Sequence, residues 1–172
     1  MFKAEVESSI NESLINDIVR IDQDSFPEGW VFPNAKEYFS ELLKNKNNVR
    51  IILKNNEETV GYLIAVPHNE ARKDLENDDP LMPEDAFRYY IETVAILPNY
   101  RRRGGMKKML KSFVNELKEK SIDKISMHAR VLNKFSDFIQ ERTKVTQIRR
   151  IDRWKYYNFE EPTDYIEADI VQ

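Results

Sequence analysis

Three arginines followed by two glycines, Arg101-Arg102-Arg103-Gly104-Gly105, stand between an apolar run and an amphipathic stretch. Val94-Ala95-Ile96-Leu97 reads as the end of a strand, Pro98-Asn99-Tyr100 as a turn, and Met106-Lys107 as the opening of a helix. The first N–H groups of a helix have no partner inside it, and the helix dipole favours negative charge at that end. Glycine lets a ligand approach the backbone where a Cβ would obstruct it. A strand, a basic glycine turn and a helix start, in that order, predict a receptor for a phosphorylated ligand, here a pyrophosphate-bearing cofactor.

Other chemistry is thin. The chain has no cysteine, which removes thiolate nucleophiles and cysteine-ligated metals. His68 and His128 are too few and too separated to propose a metal site, and His128 reads as a packed or hydrogen-bonded strand residue. Asp74, Glu76, Asp78, Asp79, Glu84 and Asp85 could attract a cationic amine or simply be solvated. Arg149, Arg150, Arg153 and Lys155 read as a solvated strand face, or as contacts to a further phosphate or an acidic substrate.

The 172 residues are expected to form one domain, residues 1–172, with a substantial core. With 27 basic and 30 acidic side chains the net charge is −3, which argues against a general nucleic-acid binder. No apolar run is long enough for a membrane span, and Met1–Val6 lacks a signal pattern, so a cytoplasmic location is expected.

The elements that must hold the basic turn follow from periodicity. A short strand over residues 2–7 precedes a helix entered through Ser9-Ile10-Asn11-Glu12, with Ile10, Leu14, Ile18 and Ile21 on its apolar face. An aromatic loop, Ser25–Pro33, leads to a helix opened by Asn34 and Glu37, with Tyr38, Leu42 and Leu43 inward. Val49–Leu53 and Thr59–Val66 form a hairpin about Asn55-Asn56. Pro67–Asp85 is expected to be a polar loop, functional or mobile, and Phe87–Leu97 a strand. Met106, Met109, Leu110, Phe113 and Leu117 form one helical stripe. Lys124–Ala129 is the next strand, Asn133–Arg142 a short helix, and Thr146–Tyr157 and Tyr165–Val171 two last strands, the second half-buried. The central β-α-β unit is expected to be parallel and the hairpins antiparallel, giving a mixed sheet covered by helices.

At this point the pattern resembles the GNAT superfamily of acyl-CoA-dependent N-acyltransferases. The family signature is Arg or Gln, two residues, Gly, one residue, then Gly or Ala. Arg101-Arg102-Arg103-Gly104-Gly105 matches its first five positions, and Met106 departs from the sixth. The preceding Val94–Tyr100 segment and Asn133 with Ser136 are also similar to the family, and the order of elements fits nearly the whole chain. The resemblance implies an α/β (α+β) fold with a mixed, mostly antiparallel sheet of six to seven strands and about four helices. It implies acetyl-CoA as co-substrate, without a metal. Its pyrophosphate would meet N–H groups from Arg101 through Arg102, Arg103, Gly104, Gly105 and Met106 to Lys107. Its pantetheine arm would pair with the backbone near Val94, Ala95 and Ile96, where an N–H would polarise the thioester. Asn133 and Ser136 would line its far side.

The resemblance also makes Glu92 the candidate base, with a strand carboxylate that positions substrate as the alternative. An amine of pKa about 10.4 must lose a proton before it attacks. The family often carries a tyrosine seven residues beyond the helical asparagine; here Gln140 stands there, and Lys144-Val145 replaces a usual Gly-Phe. Tyr156 or Tyr157 could substitute as acid, or belong to the core. The implied activity is acetyl transfer to a primary amine, on a small molecule or peptide, by direct attack in a ternary complex. A silent acyl-CoA-binding module and an arginine-rich nucleic-acid binder are the rivals. Neither a nucleic acid nor a membrane is expected as partner, and the chain could be a monomer or a homodimer.

Overall fold

The computed structural model describes residues 1–156 and 159–170. The described residues form seven strands and five α-helices, and the strands hydrogen-bond in the order β1-β2-β3-β4-β5-β7-β6. The sheet is mixed and mostly antiparallel. Contacts gather into two compact units, one of residues 1–65 and 93–119, the other of residues 66–92 and 120–172. No helix among the described residues is long and apolar enough to cross a membrane.

In the first unit, β1 (Phe2–Val6) pairs antiparallel with β2 (Val49–Asn55), which pairs antiparallel with β3 (Glu58–Pro67). The expected hairpin turns through Asn56, whose φ is 56°, a left-handed conformation that asparagine tolerates. The first helix, α1 (Glu12–Ser25), starts one residue after Asn11, whose Oδ1 accepts the Leu14 N–H at 2.9 Å. Asn11 rather than Ser9 is therefore the cap, and Ile10 lies outside the helix. The second, α2 (Ala35–Lys44), buries Ala35, Phe39 and Leu43, while Tyr38 stacks on Phe32 instead of entering the core. The last helix of this unit, α4 (Gly105–Glu119), buries Met109, Phe113 and Leu117. Ser112 and Lys108 of α4 donate to the Ala4 and Phe2 carbonyls of β1, at 2.9 Å each.

The second unit differs more from expectation. Its first element is a helix, α3 (His68–Asp74), inside the segment expected to be loop. Next, β4 (Arg88–Ile96) runs parallel to β5 (Lys124–Arg130), from Arg88 opposite Lys124 to Tyr90 opposite Ser126, as the β-α-β reading requires. A short helix, α5 (Phe135–Gln140), precedes β6 (Lys144–Tyr156) and β7 (Phe159–Asp169). The β7 strand starts six residues before the expected Tyr165 and is buried almost throughout rather than on one face. Its buried Glu167 accepts from Tyr165 and pairs with Arg88 at 2.5 Å. Tyr157 and Val171, named in the sequence readings, lie outside the described residues.

Candidate functional site

The basic turn is built from its anchors outward. After β4, a short 3-10 turn at Pro98–Tyr100 redirects the chain, with Leu97 N–H donating to Val60 O at 2.9 Å. That bond faces Leu97 toward β3. Because strand groups alternate, the backbone N–H and C=O of Ile96 and Val94 point to the opposite edge. The Ile96 carbonyl is occupied there, accepting from Arg101 Nε at 2.8 Å and Ser25 Oγ at 3.3 Å. Arg101 also donates to the Ser25 carbonyl at 2.9 Å, so its side chain ties the ends of α1 and β4 together. Its N–H bonds Pro98 O at 3.3 Å. Arg101 is thus placed as a clamp on the turn.

The residues that follow form the concavity. Arg102 has φ 60° and Gly104 φ 83°, with Arg103 between them on the ordinary side of the map. Alternating backbone hands bring successive N–H groups round to one focus, an arrangement that binds anions. The first bond of α4 from this turn runs from Lys108 N to Gly104 O at 3.2 Å. The N–H groups of Gly105, Met106 and Lys107 precede it and have no partner inside the helix. The side chain of Arg103 lies over the Tyr100 ring at 5.7 Å, and those of Arg102 and Lys107 are exposed.

The two glycines do different things. A Cβ on Gly104 would meet nothing within 4 Å, and the residue is exposed, so its positive φ and its open side belong to the concavity. A Cβ on Gly105 would lie 2.6 Å from Leu53 Cδ2 and 3.3 Å from Ile96 Cδ1. Gly105 therefore lets the helix start settle onto the sheet. Met106 is half-buried. A cradle with an open glycine, converging N–H groups and flanking arginine and lysine fits a pyrophosphate.

In the second unit, Glu92 is half-buried on β4, and Tyr90 precedes it by two residues on the same face. Burial first, and the Glu92 charge next, push the Tyr90 hydroxyl well above its usual range. Asn133 accepts the Phe135 N–H at 3.0 Å and so shapes the turn into α5, whose flanking Lys134 has φ 61°. Ser136 is buried; it donates to Asp164 Oδ2 at 2.5 Å and accepts from Gln140 Nε2 at 2.9 Å. Both Ser136 and Gln140 are thus engaged inside this unit.

Sequence reasoning missed a larger network there. Asp79 is 2 % exposed, not solvated. Arg149 Nη2 donates to both its oxygens, at 2.8 and 2.6 Å, and His128 Nε2 lies 3.0 Å from Oδ2. Burial opposes ionisation, but the hydrogen bonds from His128 and Arg149 outweigh it and hold the Asp79 carboxyl at about 2. Burial lowers the His128 imidazole, so His128 is neutral at pH 7; Nε2–H donates to Asp79, and Nδ1 accepts from the Tyr90 hydroxyl at 2.8 Å. Trp154 stacks on the imidazole at 4.2 Å. Arg150 and Arg153 pair with Asp164 and Glu160, so this basic face is largely neutralised. Among the described residues no group of three His, Asp or Glu side chains could hold a metal ion.

The family model described as Acetyltransferase (GNAT) family matches residues 15–138. No curated protein sequence matches the chain. Solved structures of similar fold include the ribosomal-protein-S18-alanine N-acetyltransferase of Escherichia coli, 16% identical over 100% of this chain and 96% of that one, with a TM-score of 0.70. An aminoglycoside 6′-N-acetyltransferase complexed with coenzyme A is 10% identical over 99% and 98%, with a TM-score of 0.69. NAA60 of Arabidopsis thaliana in complex with acetyl-CoA is 18% identical over 98% and 97%, also at 0.69.

Proposed function

The chain belongs to the GNAT acetyltransferase family, and we propose that it moves the acetyl group of acetyl-CoA to a primary amine by direct attack in a ternary complex. The observation that carries the reading is the cradle after β4, where Gly104 is open and left-handed and the N–H groups of Gly105 to Lys107 precede the first bond of α4. Bound there, acetyl-CoA supplies an activated acyl carbon and a good leaving group. The cradle's N–H groups hold the pyrophosphate. The outward backbone of Val94 and the N–H of Ile96 receive the pantetheine arm, since the Ile96 carbonyl is spent on Arg101 and Ser25. Glu92 is the candidate base in this reading. With no cysteine to carry an acyl group, positioning rather than covalent catalysis supports the rate.

The experiment is a thermal-shift titration with acetyl-CoA, CoA and a non-phosphorylated thioester, followed by thiol release. The amine panel is n-butylamine, spermidine, an aminoglycoside and a peptide beginning with alanine. Acetyl-CoA and CoA at 100 times Kd should each add about 2.7 kcal/mol, and the control thioester nothing. No stabilisation at millimolar ligand overturns the reading. Stabilisation without thiol release from any amine replaces it with an acyl-CoA-binding module.

A further inference from the structure

Among the described residues, one carboxyl in the first unit is buried without a charged partner. Asp22, near the end of α1, is 0 % exposed, and its Oδ2 has no hydrogen-bond partner among the described residues. Its Oδ1 lies 3.1 Å from the Tyr62 hydroxyl of β3, and that hydroxyl lies 3.3 Å from Thr93 Oγ1 of β4. An ionised carboxylate has no proton to give, so Tyr62 donates to Asp22. Having spent its one proton, the Tyr62 oxygen can only accept from Thr93. Both hydroxyl protons of the chain are therefore directed toward Asp22, and the lone pairs of Thr93 Oγ1 form its other end. Thr93 immediately precedes Val94, the residue whose backbone the acetyl-transfer reading assigns to the pantetheine arm.

We propose that Thr93, Tyr62 and Asp22 form a proton exit, through which Asp22 takes the proton that an acceptor ammonium must lose before it attacks. The inference rests on the acetyl-transfer reading and gives the base's role to Asp22 in place of Glu92, leaving Glu92 as the strand carboxylate that positions substrate. The ammonium gives one proton to Thr93 Oγ1 as the Thr93 proton moves to Tyr62 Oη and the Tyr62 proton to Asp22 Oδ1. The freed lone pair forms the N–C bond and the C–S bond breaks. The amine's second proton leaves with the sulfur as CoA thiol. Asp22, now neutral, returns its proton to bulk water by the reverse movement once product has left.

The setting suits the task. Burial raises the Asp22 carboxyl to about 6, against the Tyr62 hydroxyl and the Phe32 N–H, which both favour the charged form. A proton acceptor serves best when its pKa lies near working pH. Charged neighbours on α1 are turned elsewhere: Arg20 reaches Thr59 O and Asp17, and Asp24 is exposed. From α2, Phe39 packs edge-on against the Tyr62 ring, while Lys36, Glu37 and Glu41 are exposed; on β4 the charged residue beside Thr93 is Glu92.

The test uses the full chain labelled with ¹³C at aspartate carboxyls, Asp22 being assigned by the resonance lost in Asp22→Asn. Titration of that resonance near 6 is expected; titration in the usual range of about 4 overturns the proposal. In parallel, kcat/KM is measured against pH with acetyl-CoA and the panel amine that releases thiol fastest. The wild-type acid limb should coincide with the Asp22 titration. It should vanish in Asp22→Asn and in the near-isosteric Thr93→Val, with rates about 100-fold lower, while acetyl-CoA still raises the melting temperature of both. Glu92→Gln should keep the limb. An unchanged rate and limb in Asp22→Asn or Thr93→Val overturns the exit. If no panel amine releases thiol, the acetyl-transfer reading fails, and the exit with it, whatever the carboxyl titration shows.

Discussion

The first unit buries Asp22 and the second buries Asp79, and the two are held in opposite ways. Asp79 faces the Arg149 guanidinium with both oxygens and takes a third bond from His128, and its pKa falls to about 2. Among the described residues Asp22 has the Tyr62 hydroxyl and the Phe32 N–H, both uncharged, with Oδ2 unpartnered, and its pKa rises to about 6. Burial penalises both, so burial does not distinguish them. The charge of the partners does. Asp79 is a structural carboxylate, fixed in one state across the working pH range, whereas Asp22 is left able to change state near neutrality.

Removing the two carboxylates should therefore act with opposite sign, and the larger effect belongs to Asp79. Asp79→Ala leaves Arg149 and His128 facing a buried void, at a cost of about 3–5 kcal/mol by urea unfolding at pH 7. Asp22→Asn keeps an acceptor for Tyr62 and Phe32 but removes the buried charge. The shift from 3.8 to about 6 is worth about 3 kcal/mol, against which an unpaired amide N–H costs about 1 kcal/mol. A gain of about 2 kcal/mol at pH 7 is expected. Two variants that destabilise alike would erase the distinction.

The pH dependence sharpens it. The folded pKa of Asp22 is raised, so its contribution is fully present below about 3.8 and is lost as pH rises through about 6. Asp79 is depressed, so its contribution is present above about 3.8 and is lost as pH falls through about 2. The advantage of Asp22→Asn over wild type should therefore disappear at pH 4 and grow to its full size by pH 7. Unfolding free energies of both proteins at pH 4, 5, 6 and 7 check this. An advantage that does not change with pH would mean that the Asp22 carboxyl ionises over the same pH range in the folded protein as in the unfolded chain.

Much of the frame that holds these groups was legible because it is local. The Asn55-Asn56 hairpin, the β-α-β unit and the stripe of α4 each carry their signal within a few turns or strands. What was not legible depends on residues far apart in sequence. The α3 helix has only seven residues and little apolar periodicity, and His68 at its start is held by Ser126 at 2.7 Å and Pro83 O at 2.8 Å. The early start of β7 was hidden by Pro162, which reads as a strand breaker. A register shift in β6 between Ile151 and Trp154 lies opposite that proline, so the ladder does not require its missing N–H. Asp79 looked like one more solvated acid because nothing nearby in sequence announces Arg149. Asp22 did leave a trace: with Ile15 and Ile18 it shares a helical face, and an acid on an apolar face marks a buried carboxyl. Within the candidate site, the glycine turn is a local feature that the sequence displays, whereas the engagement of Arg101 with Ser25 joins residues far apart in the chain.

The same division between a group fixed by packing and one left open recurs in the two glycines, with smaller effects. Gly105→Ala drives a Cβ to 2.6 Å from Leu53 Cδ2, a side-chain end that can move, so about 1–2 kcal/mol of stability should be lost. Gly104→Ala meets no atom within 4 Å but must hold φ 83°, which costs about 1 kcal/mol. Their order should reverse for the ligand. A methyl on Gly104 stands where the concavity opens, so the acetyl-CoA-induced rise in melting temperature should fall more in Gly104→Ala than in Gly105→Ala. Gly105→Ala points its methyl into the sheet and leaves the cradle's N–H groups in place. Equal loss of ligand response in both variants would mean that the turn binds through the seating of α4 rather than through the open face at Gly104.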